Sequence, residues 1–135
     1  MSNMSRKTLF ELGEFTSHSG LTLPFKIDCD ALTDEDINCI AILIAAKTCF
    51  GAVEGIPRGG IRLADSLEEW ATPETSSTVL IVDDVLTTGV SMEQWKAKQP
   101  NPDAVVGWVI FARTKPPEWV NAVFEMCRPP VFEST

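Results

Sequence analysis

The 135-residue sequence has few basic residues: eleven Lys and Arg stand against nineteen Asp and Glu, which gives a formal net charge of −8. Proteins that bind nucleic acid neutralise phosphates with clustered Lys and Arg, so this balance argues against a nucleic-acid surface. No stretch approaches the roughly 20 apolar residues that a membrane span needs, and the N-terminal residues show no signal-peptide pattern. We therefore predict a cytoplasmic protein that has neither nucleic acid nor a membrane as a partner.

Histidine and paired cysteines are also scarce. The chain has one His and four Cys, and no two Cys have the C-x-x-C spacing of a zinc site. A zinc centre is therefore not expected, and Cys29, Cys39, Cys49 and Cys127 are interpreted as buried, reduced thiols. There are no repeats and no low-complexity tracts, and an apolar content of 44% is ordinary, so we predict one globular domain over residues 1–135.

The order of apolar segments predicts strands that alternate with helices. Residues 8–30 are rich in turn formers and indicate a β-hairpin. Alternating strands and helices imply an α/β fold with a Rossmann-like, mainly parallel sheet flanked by helices on both faces, and ligands bind beyond the carboxyl ends of such strands. The predicted helices are one capped by Thr33 and ended by Gly51, then 61–70 and 91–98; the predicted strands are 52–56, 79–82, 105–112 and 119–126.

The most informative segment is 79–91, Val-Leu-Ile-Val-Asp-Asp-Val-Leu-Thr-Thr-Gly-Val-Ser. It opens with four apolar residues, three of them β-branched, which predict a strand buried on both faces. Asp83 and Asp84 are predicted to lie where that strand ends. A turn then leads into a helix, and its backbone N–H groups can bind an anion. Carboxylates beside such a turn suit a ligand with vicinal hydroxyls and a phosphate, as in ribose 5-phosphate. The turn contains Thr87, Thr88, Gly89 and Ser91.

This segment resembles the signature with which type I phosphoribosyltransferases bind phosphoribosyl pyrophosphate (PRPP). The resemblance implies that Asp83 and Asp84 are catalytic residues that hold the ribose hydroxyls. It implies that the Thr-Thr-Gly turn and Ser91 bind the 5′-phosphate. It also implies a homodimer and Mg²⁺ as cofactor, with the two acids as nearby metal ligands.

Other interpretations of the segment remain open. A buried strand followed by a polar turn needs no ligand. A Walker B strand also ends in acids, but it requires a G-x-x-x-x-G-K-[ST] loop, and the sequence has none. An acid pair of the receiver-domain type normally follows the first strand of a chain. The phosphoribosyltransferase interpretation accounts for most of the residues in the segment.

A second glycine-rich segment, Gly-Ile-Pro-Arg-Gly-Gly at 55–60, lies between a predicted strand and a predicted helix. Its glycines let the backbone approach a phosphate, and Arg58 can add a charge-assisted contact. Alone, the segment also fits an ordinary Gly-Pro turn. It begins 28 residues before Asp83, where the family has its pyrophosphate loop, so the resemblance assigns pyrophosphate binding to Gly55, Arg58, Gly59 and Gly60.

The N-terminal hairpin and Arg113 extend the resemblance to orotate phosphoribosyltransferases. Residues 13–20, Gly-Glu-Phe-Thr-Ser-His-Ser-Gly, are similar to the hairpin that opens those enzymes, except that His18 replaces a Lys. Arg113 follows a predicted strand where those enzymes have an Arg that contacts the carboxylate of orotate. The resemblance therefore implies that His18 and Arg113 bind an orotate-like pyrimidine base. A solvated loop His and an exposed Arg are the alternatives.

One expected feature is missing. Orotate enzymes have a further strand and a long, Lys-rich flexible loop before the PRPP strand, and that loop closes over the reacting atoms. Here residues 71–77 are Ala-Thr-Pro-Glu-Thr-Ser-Ser, without Lys or Arg. Two hypotheses follow. The chain is a phosphoribosyltransferase of weak activity, or it is a non-catalytic, regulatory module that binds PRPP or a nucleotide.

Overall fold

The computed structural model describes residues 8–16 and 22–126. An antiparallel hairpin precedes a four-stranded parallel sheet, and helices cover both faces of the sheet. This confirms the predicted fold class. The hairpin consists of β1 (Phe10–Thr16) and β2 (Thr22–Ile27), and the sheet contains, in spatial order, β3 (Ala52–Gly55), β4 (Val79–Leu86), β5 (Val105–Ala112) and β6 (Val120–Glu125). The helices are α1 (Asp34–Lys47), α2 (Ile61–Leu67) and α3 (Val90–Ala97).

Helix α1 begins as the sequence predicts. The Thr33 side chain accepts a hydrogen bond from the Asp36 N–H (3.1 Å), and the Asp36 carboxylate accepts one from the Thr33 N–H (2.8 Å). This reciprocal pair satisfies two N–H groups that a helix start leaves without a partner. The predicted end at Gly51 is wrong, because the helix stops at Lys47 and Thr48 is already extended.

The core has two parts, one on each face of the sheet. Leu80 and Val82 face α1 and α2, whereas Ile81 faces the side covered by α3, and all three are fully buried. Successive side chains of a strand point to opposite faces, so an uninterrupted apolar run is what a strand covered on both sides requires. Met92 is the buried residue of α3.

Strand β4 is longer than predicted. Its pairing with β3 ends at Gly55 and Val82, but its pairing with β5 continues to Leu86 and Ala112. The prediction that the strand ends at Asp83 is therefore wrong. The two acids lie in a part of β4 that pairs with β5 but no longer with β3, so the β3 side of the strand is open beside them.

The cysteines differ from their interpretation as buried thiols. Cys39 and Cys49 are exposed and Cys29 is half-buried, while Cys127 lies outside the described residues. The buried residues of α1 are Ile37, Ala41 and Ile44, whereas Cys39 lies on the exposed face of the helix. Within the described part of the chain, no helix is long and apolar enough to cross a bilayer.

Candidate active site

The predicted site residues that the structure describes lie around the carboxyl edge of the parallel sheet. The glycine-rich loop follows β3, the acids lie near the end of β4, the Thr-Thr-Gly turn follows β4, and Arg113 follows β5. Parallel strands in register bring these ends together. His18 lies outside the described residues.

Asp83 and Asp84 form a close pair of carboxylates. The Asp83 Oδ1 accepts a hydrogen bond from the Asp84 N–H (2.8 Å), and the Asp84 Oδ1 accepts one from the Val85 N–H (2.7 Å). Both side chains are half-buried. Desolvation by burial, followed by the negative charge of Asp84, raises the pKa of Asp83 to about 8. No cation of the described residues lowers the pKa of Asp83. The two adjacent carboxylates therefore repel each other in the free protein, and a ligand that neutralises their charge is favoured at this position.

The glycine-rich loop packs directly against this pair. The Ile56 N–H donates to the Val82 carbonyl (2.9 Å), which ties the loop to β4. A Cβ on Gly59 would collide with the Asp84 carboxylate, and a Cβ on Gly60 would collide with the Val82 carbonyl. Because glycine has no side chain, the loop and the acid pair can form one surface. The peptide bond between Pro57 and Arg58 is cis, and the Arg58 side chain is exposed.

The Thr-Thr-Gly turn leads into α3 as predicted. Gly89 has φ of 87°, a left-handed conformation that a side chain would disfavour, and α3 begins at the next residue. The Thr88 Oγ1 accepts a hydrogen bond from the Val90 N–H (3.4 Å), and the Thr114 Oγ1 donates to the Thr87 carbonyl (2.7 Å). The first N–H groups of α3 have no partner inside the helix, so this turn can hold an anion.

Two indole–carboxylate hydrogen bonds hold α3 in place. The Trp95 Nε1 donates to Glu54 of β3 (2.9 Å), and the Trp119 Nε1, from just before β6, donates to Glu93 of α3 (2.8 Å). Together with the packing of Met92 and Trp95 against the core, these contacts link α3 to β3 and to the segment before β6. They thereby fix the N-terminal turn that faces the site.

Arg113 lies beside the Thr-Thr-Gly turn. Its N–H donates to the Leu86 carbonyl (2.8 Å), so the chain leaves β5 next to the end of β4. The side chain is half-buried, and desolvation lowers the pKa of the guanidinium from its ordinary value. A guanidinium remains positively charged at neutral pH, so Arg113 supplies a cation at the carboxyl edge.

A cleft of about 800 Å³ lies beside Asp84 and Gly59, which are among its lining residues. Its wall includes a segment between the hairpin and α1 that the sequence interpretation did not assign to a site: Lys26, Asp28, Cys29 and Asp30. The sequence did carry a signal, since Lys-Ile-Asp-Cys-Asp at 26–30 places one charged side chain at the end of the hairpin and two directly after it. Its position depends on the Asp28 N–H, which donates to the Leu9 carbonyl (2.6 Å), a contact that periodicity does not predict.

The shortened connection before β4 lies at the amino ends of the parallel strands, opposite the end where the acids lie. The Gly51 N–H donates to the Thr78 carbonyl (2.8 Å), and the Thr72 N–H donates to the Phe50 carbonyl (2.8 Å). Residues 51 and 78 precede β3 and β4, so both contacts are at the amino ends of the strands. From Thr78 to Asp83 is five residues of extended chain, about 17 Å. The segment that replaces the flexible loop therefore does not lie over the site.

No protein-family model matches the sequence, and no curated protein matches it significantly. Solved structures do match. UMP synthase from Leishmania donovani superposes with a TM-score of 0.68 at 17% identity, over 87% of this chain and 34% of that one. Orotate phosphoribosyltransferase from Aeropyrum pernix gives 0.66 at 19% identity, over 87% and 89% of the two chains. The Mycobacterium tuberculosis H37Rv orotate phosphoribosyltransferase, in complex with Fe(III) dicitrate, gives 0.60 at 18% identity, over 90% and 91%.

These matches define the class of fold. The chain has the type I phosphoribosyltransferase fold, in the form seen in orotate phosphoribosyltransferases, which confirms the resemblance noted in the sequence. It spans about a third of the length of the UMP synthase and about nine tenths of the two orotate phosphoribosyltransferases.

We expect the substitution Asp83→Asn to stabilise the ligand-free protein. A carboxyl whose pKa is about 8 when folded and near 4 when unfolded costs stability above pH 4, and the cost grows as the pH rises towards 8. The amide carries no charge and its oxygen can still accept from the Asp84 N–H. Thermal unfolding at pH 8 should show a gain of about 1–3 kcal/mol that shrinks towards pH 4.

The matched control for this measurement is Asp65→Asn, which removes one charge from an exposed position of α2. It should change the unfolding free energy by less than about 0.5 kcal/mol at either pH. An Asp83→Asn protein that is no more stable than wild type at pH 8 would show that burial and the charge of Asp84 do not destabilise the ionised Asp83 carboxylate in the free protein.

Proposed function

We propose that the chain transfers ribose 5-phosphate from PRPP to a ring nitrogen of a small, pyrimidine-like base and releases pyrophosphate. The observation that carries the proposal is the approach of Gly59 to the Asp84 carboxylate. It joins a loop suited to pyrophosphate and an acid pair suited to ribose hydroxyls in one surface. The anion-binding turn at the start of α3 follows on the same strand.

Each part of PRPP then has a place in this site. The turn with Thr87, Thr88, Gly89 and Ser91 takes the 5′-phosphate through N–H groups and hydroxyls. Asp83 and Asp84 accept hydrogen bonds from the ribose hydroxyls. The loop with Gly55, Arg58, Gly59 and Gly60 takes the pyrophosphate. His18 and Arg113 are our proposed contacts to the base.

The acid pair also fits a magnesium ion. In the described part of the chain no three His, Cys, Asp or Glu side chains converge into a metal site, so the described residues offer the ion the Asp83 and Asp84 carboxylates. Mg²⁺ keeps several waters and usually takes its other ligands from substrate phosphates, which suits such a pair. When bound, the ion would neutralise charge that develops on the pyrophosphate.

The reaction requires the protein mainly to position PRPP and the base. A bond forms between C1 of the ribose and the ring nitrogen, the bond from C1 to the pyrophosphate oxygen breaks, and the ring nitrogen loses its proton. The transition state has oxocarbenium character, so nearby carboxylates stabilise it. Arg58 and the loop N–H groups stabilise the leaving group, and no protein nucleophile is required.

PRPP with Mg²⁺ should raise the unfolding temperature of the chain. A ligand that binds only the folded state stabilises it by about 2.7 kcal/mol at a hundredfold excess over Kd. For a domain of this size that corresponds to a shift of about 8–15 °C. Differential scanning fluorimetry with and without millimolar PRPP measures this, and ribose without phosphates is the control ligand. No shift with PRPP at any Mg²⁺ concentration would remove the basis of the proposal.

The alternative function is a non-catalytic module that binds PRPP or a nucleotide. One observation favours it, namely that the connection over 71–78 lies at the far edge of the sheet and cannot close over the site. Both functions require PRPP binding, so pyrophosphate release distinguishes them. Release that depends on an added base supports the transferase, and binding without release supports the module. In either case we propose a single-domain, cytoplasmic homodimer.

A further inference from the structure

Helix α1 is apolar on the face that points away from the core. Its buried side chains are Ile37, Ala41 and Ile44. The opposite face has four exposed side chains, which we call the outer stripe: Cys39, Ile42, Leu43 and Ala46. They follow the spacing i, i+3, i+4 and i+7, so they lie in one row along the helix. A surface helix normally has charged or polar side chains on this face, so the outer stripe is a surface whose burial would be favourable.

The two central side chains of the outer stripe are large. Ile42 is 45% exposed and Leu43 is 40% exposed. Every residue from 39 to 46 is aliphatic or a cysteine, so no charge interrupts the stripe. Single exposed apolar side chains are ordinary on protein surfaces, but a continuous group of them on one helix face is typical of a contact surface.

The charges of α1 lie at the two ends of the outer stripe and have opposite signs. Asp34, Glu35 and Asp36 are in the first turn, and Lys47 is the last residue. The residues three and four positions before Lys47 are apolar, so its own helix offers it no carboxylate at the spacing of a helical ion pair. In the part of the chain that the structure describes, Lys47 forms no ion pair. Asp36 accepts the Thr33 N–H, and its carboxylate keeps further lone pairs for a cation.

A second copy of α1 that runs antiparallel to the first complements both the apolar row and the end charges. A two-fold axis between Ile42 and Leu43 places each of these side chains against the other one in the second copy. Asp36 and Lys47 lie on the same flank of the outer stripe, because positions 36 and 47 are only about 20° apart around an ideal helix. The two-fold axis therefore brings Lys47 of one copy to within about 3 Å, along the helix axis, of Asp36 of the other. A parallel pair would instead place the acidic first turns side by side, where they repel each other.

We propose that two copies of this chain associate through α1, with their outer stripes packed against each other in an antiparallel, two-fold symmetric pair. The proposal is independent of the transferase reaction, and it names the surface of the homodimer that the resemblance implies. Lys47 and Asp36 form an ion pair at each end of the interface. A helix of 14 residues is about 21 Å long and presents less area than the roughly 800 Å² per partner of a typical stable complex. We therefore expect a weak association, with a dissociation constant in the micromolar range.

Sedimentation velocity over a concentration series at physiological salt measures this association. Wild type should change from monomer to dimer as its concentration rises. The double variant Ile42→Gln, Leu43→Gln should raise the dissociation constant at least tenfold, because it replaces the centre of the interface with polar side chains. Leu12→Gln is the matched control, since Leu12 is a more exposed apolar side chain and lies on β1, outside the outer stripe. It should change the constant less than twofold.

The variant Lys47→Glu tests the ion pair and leaves the apolar row intact. It brings a second acid beside Asp36 of the other copy, so it should also raise the dissociation constant, by about fivefold or more. Lys115→Glu makes the same change of charge at an exposed position after β5, and it should leave the constant within twofold of wild type. This comparison does not depend on the fold of the doubly substituted chain.

Disulfide cross-linking tests the direction of the two helices. In the antiparallel pair Cys39 of one copy faces position 46 of the other, while the two Cys39 residues lie about 10 Å apart along the axis, beyond the reach of a disulfide. A chain with Cys49→Ser and Cys127→Ser should therefore stay uncross-linked under mild oxidation. Addition of Ala46→Cys should give a covalent dimer whose bridge joins residues 39 and 46.

The possible results separate the interface from the reaction. A dimer that is unaffected by the outer-stripe and Lys47 substitutions, or a bridge between two Cys39 residues, would overturn the inference. A wild-type chain that stays monomeric at every concentration would overturn it together with the homodimer. Neither result bears on PRPP binding, which the thermal shift with PRPP measures separately.

Discussion

A chain that carries both Asp83→Asn and Asp84→Asn is expected to bind PRPP at least tenfold more weakly than wild type, a loss of about 1.4 kcal/mol. The two carboxylates lie side by side where β4 has lost β3 as a neighbour, and the loop over 55–60 packs against one of them. In the proposed complex both accept hydrogen bonds from ribose hydroxyls and attract the Mg²⁺ that accompanies PRPP. Neutral amides keep the shape of the site and lose the charge.

The unfolding temperature distinguishes a loss of PRPP binding from a loss of folding in the double variant. Because the unliganded pair is repulsive, the doubly substituted protein should unfold at a temperature equal to or above that of wild type. The matched control carries Asp65→Asn and Asp103→Asn, which removes the same two charges from exposed positions, and its PRPP affinity should stay within twofold. Calorimetric titration with PRPP and Mg²⁺ measures all three proteins. An unchanged affinity in the folded double variant would exclude the acid pair from the site.

The second large effect concerns turnover. We expect any transfer to run at least tenfold below the enzyme median of about 10 per second, and PRPP hydrolysis to occur beside it. A lid excludes water from the reacting carbon and completes the charge stabilisation around the leaving group. The segment over 71–78, which replaces that lid, is hydrogen-bonded to Phe50 and Gly51 at the amino edge, about 17 Å from Asp83.

Steady-state pyrophosphate release and ribose 5-phosphate formation, followed in the same reaction, measure both parts of this expectation. Replacing residues 71–77 with a Gly-Ser segment of equal length is the control, and it should leave the rate unchanged because the segment lies away from the site. A rate at or above the median with no hydrolysis, from the purified chain alone, would falsify the view that the missing lid limits catalysis. The N-terminal hairpin with His18 would then be the element that closes the site.

The sequence predicts most of the elements because their signals are local. The apolar run over 79–82 needs a sheet covered on both faces, and the structure buries it between the two parts of the core. Thr33 and Asp36 determine the start of α1, and Gly89 determines the turn before α3. Local signals do not predict the end of β4, because that end depends on how far β5 continues beside it.

The candidate site also has one part that the sequence predicts and one part that it does not. The acid pair, the glycine-rich loop and the Thr-Thr-Gly turn are each contained in a short stretch of sequence, and parallel strand order then brings them to one edge. The cleft wall with Asp28 and Asp30 was not predicted, because it arises from the packing of the hairpin against α1 and the loop before α2. The place of segment 71–78 was not predicted either, since its length indicates that a loop is missing but not at which edge the remainder lies.

The central claim is that this chain forms a nucleotide from PRPP, and the most direct test is to identify the product. The purified chain is incubated with Mg²⁺, a pyrimidine base and PRPP labelled in the ribose, and the products are separated by chromatography and mass spectrometry. The account predicts a labelled nucleoside 5′-monophosphate from wild type and from the Asp65→Asn, Asp103→Asn control, and none above background from the Asp83→Asn, Asp84→Asn protein. Labelled ribose 5-phosphate alone, or the same nucleotide yield from the protein that lacks the acid pair, would contradict it.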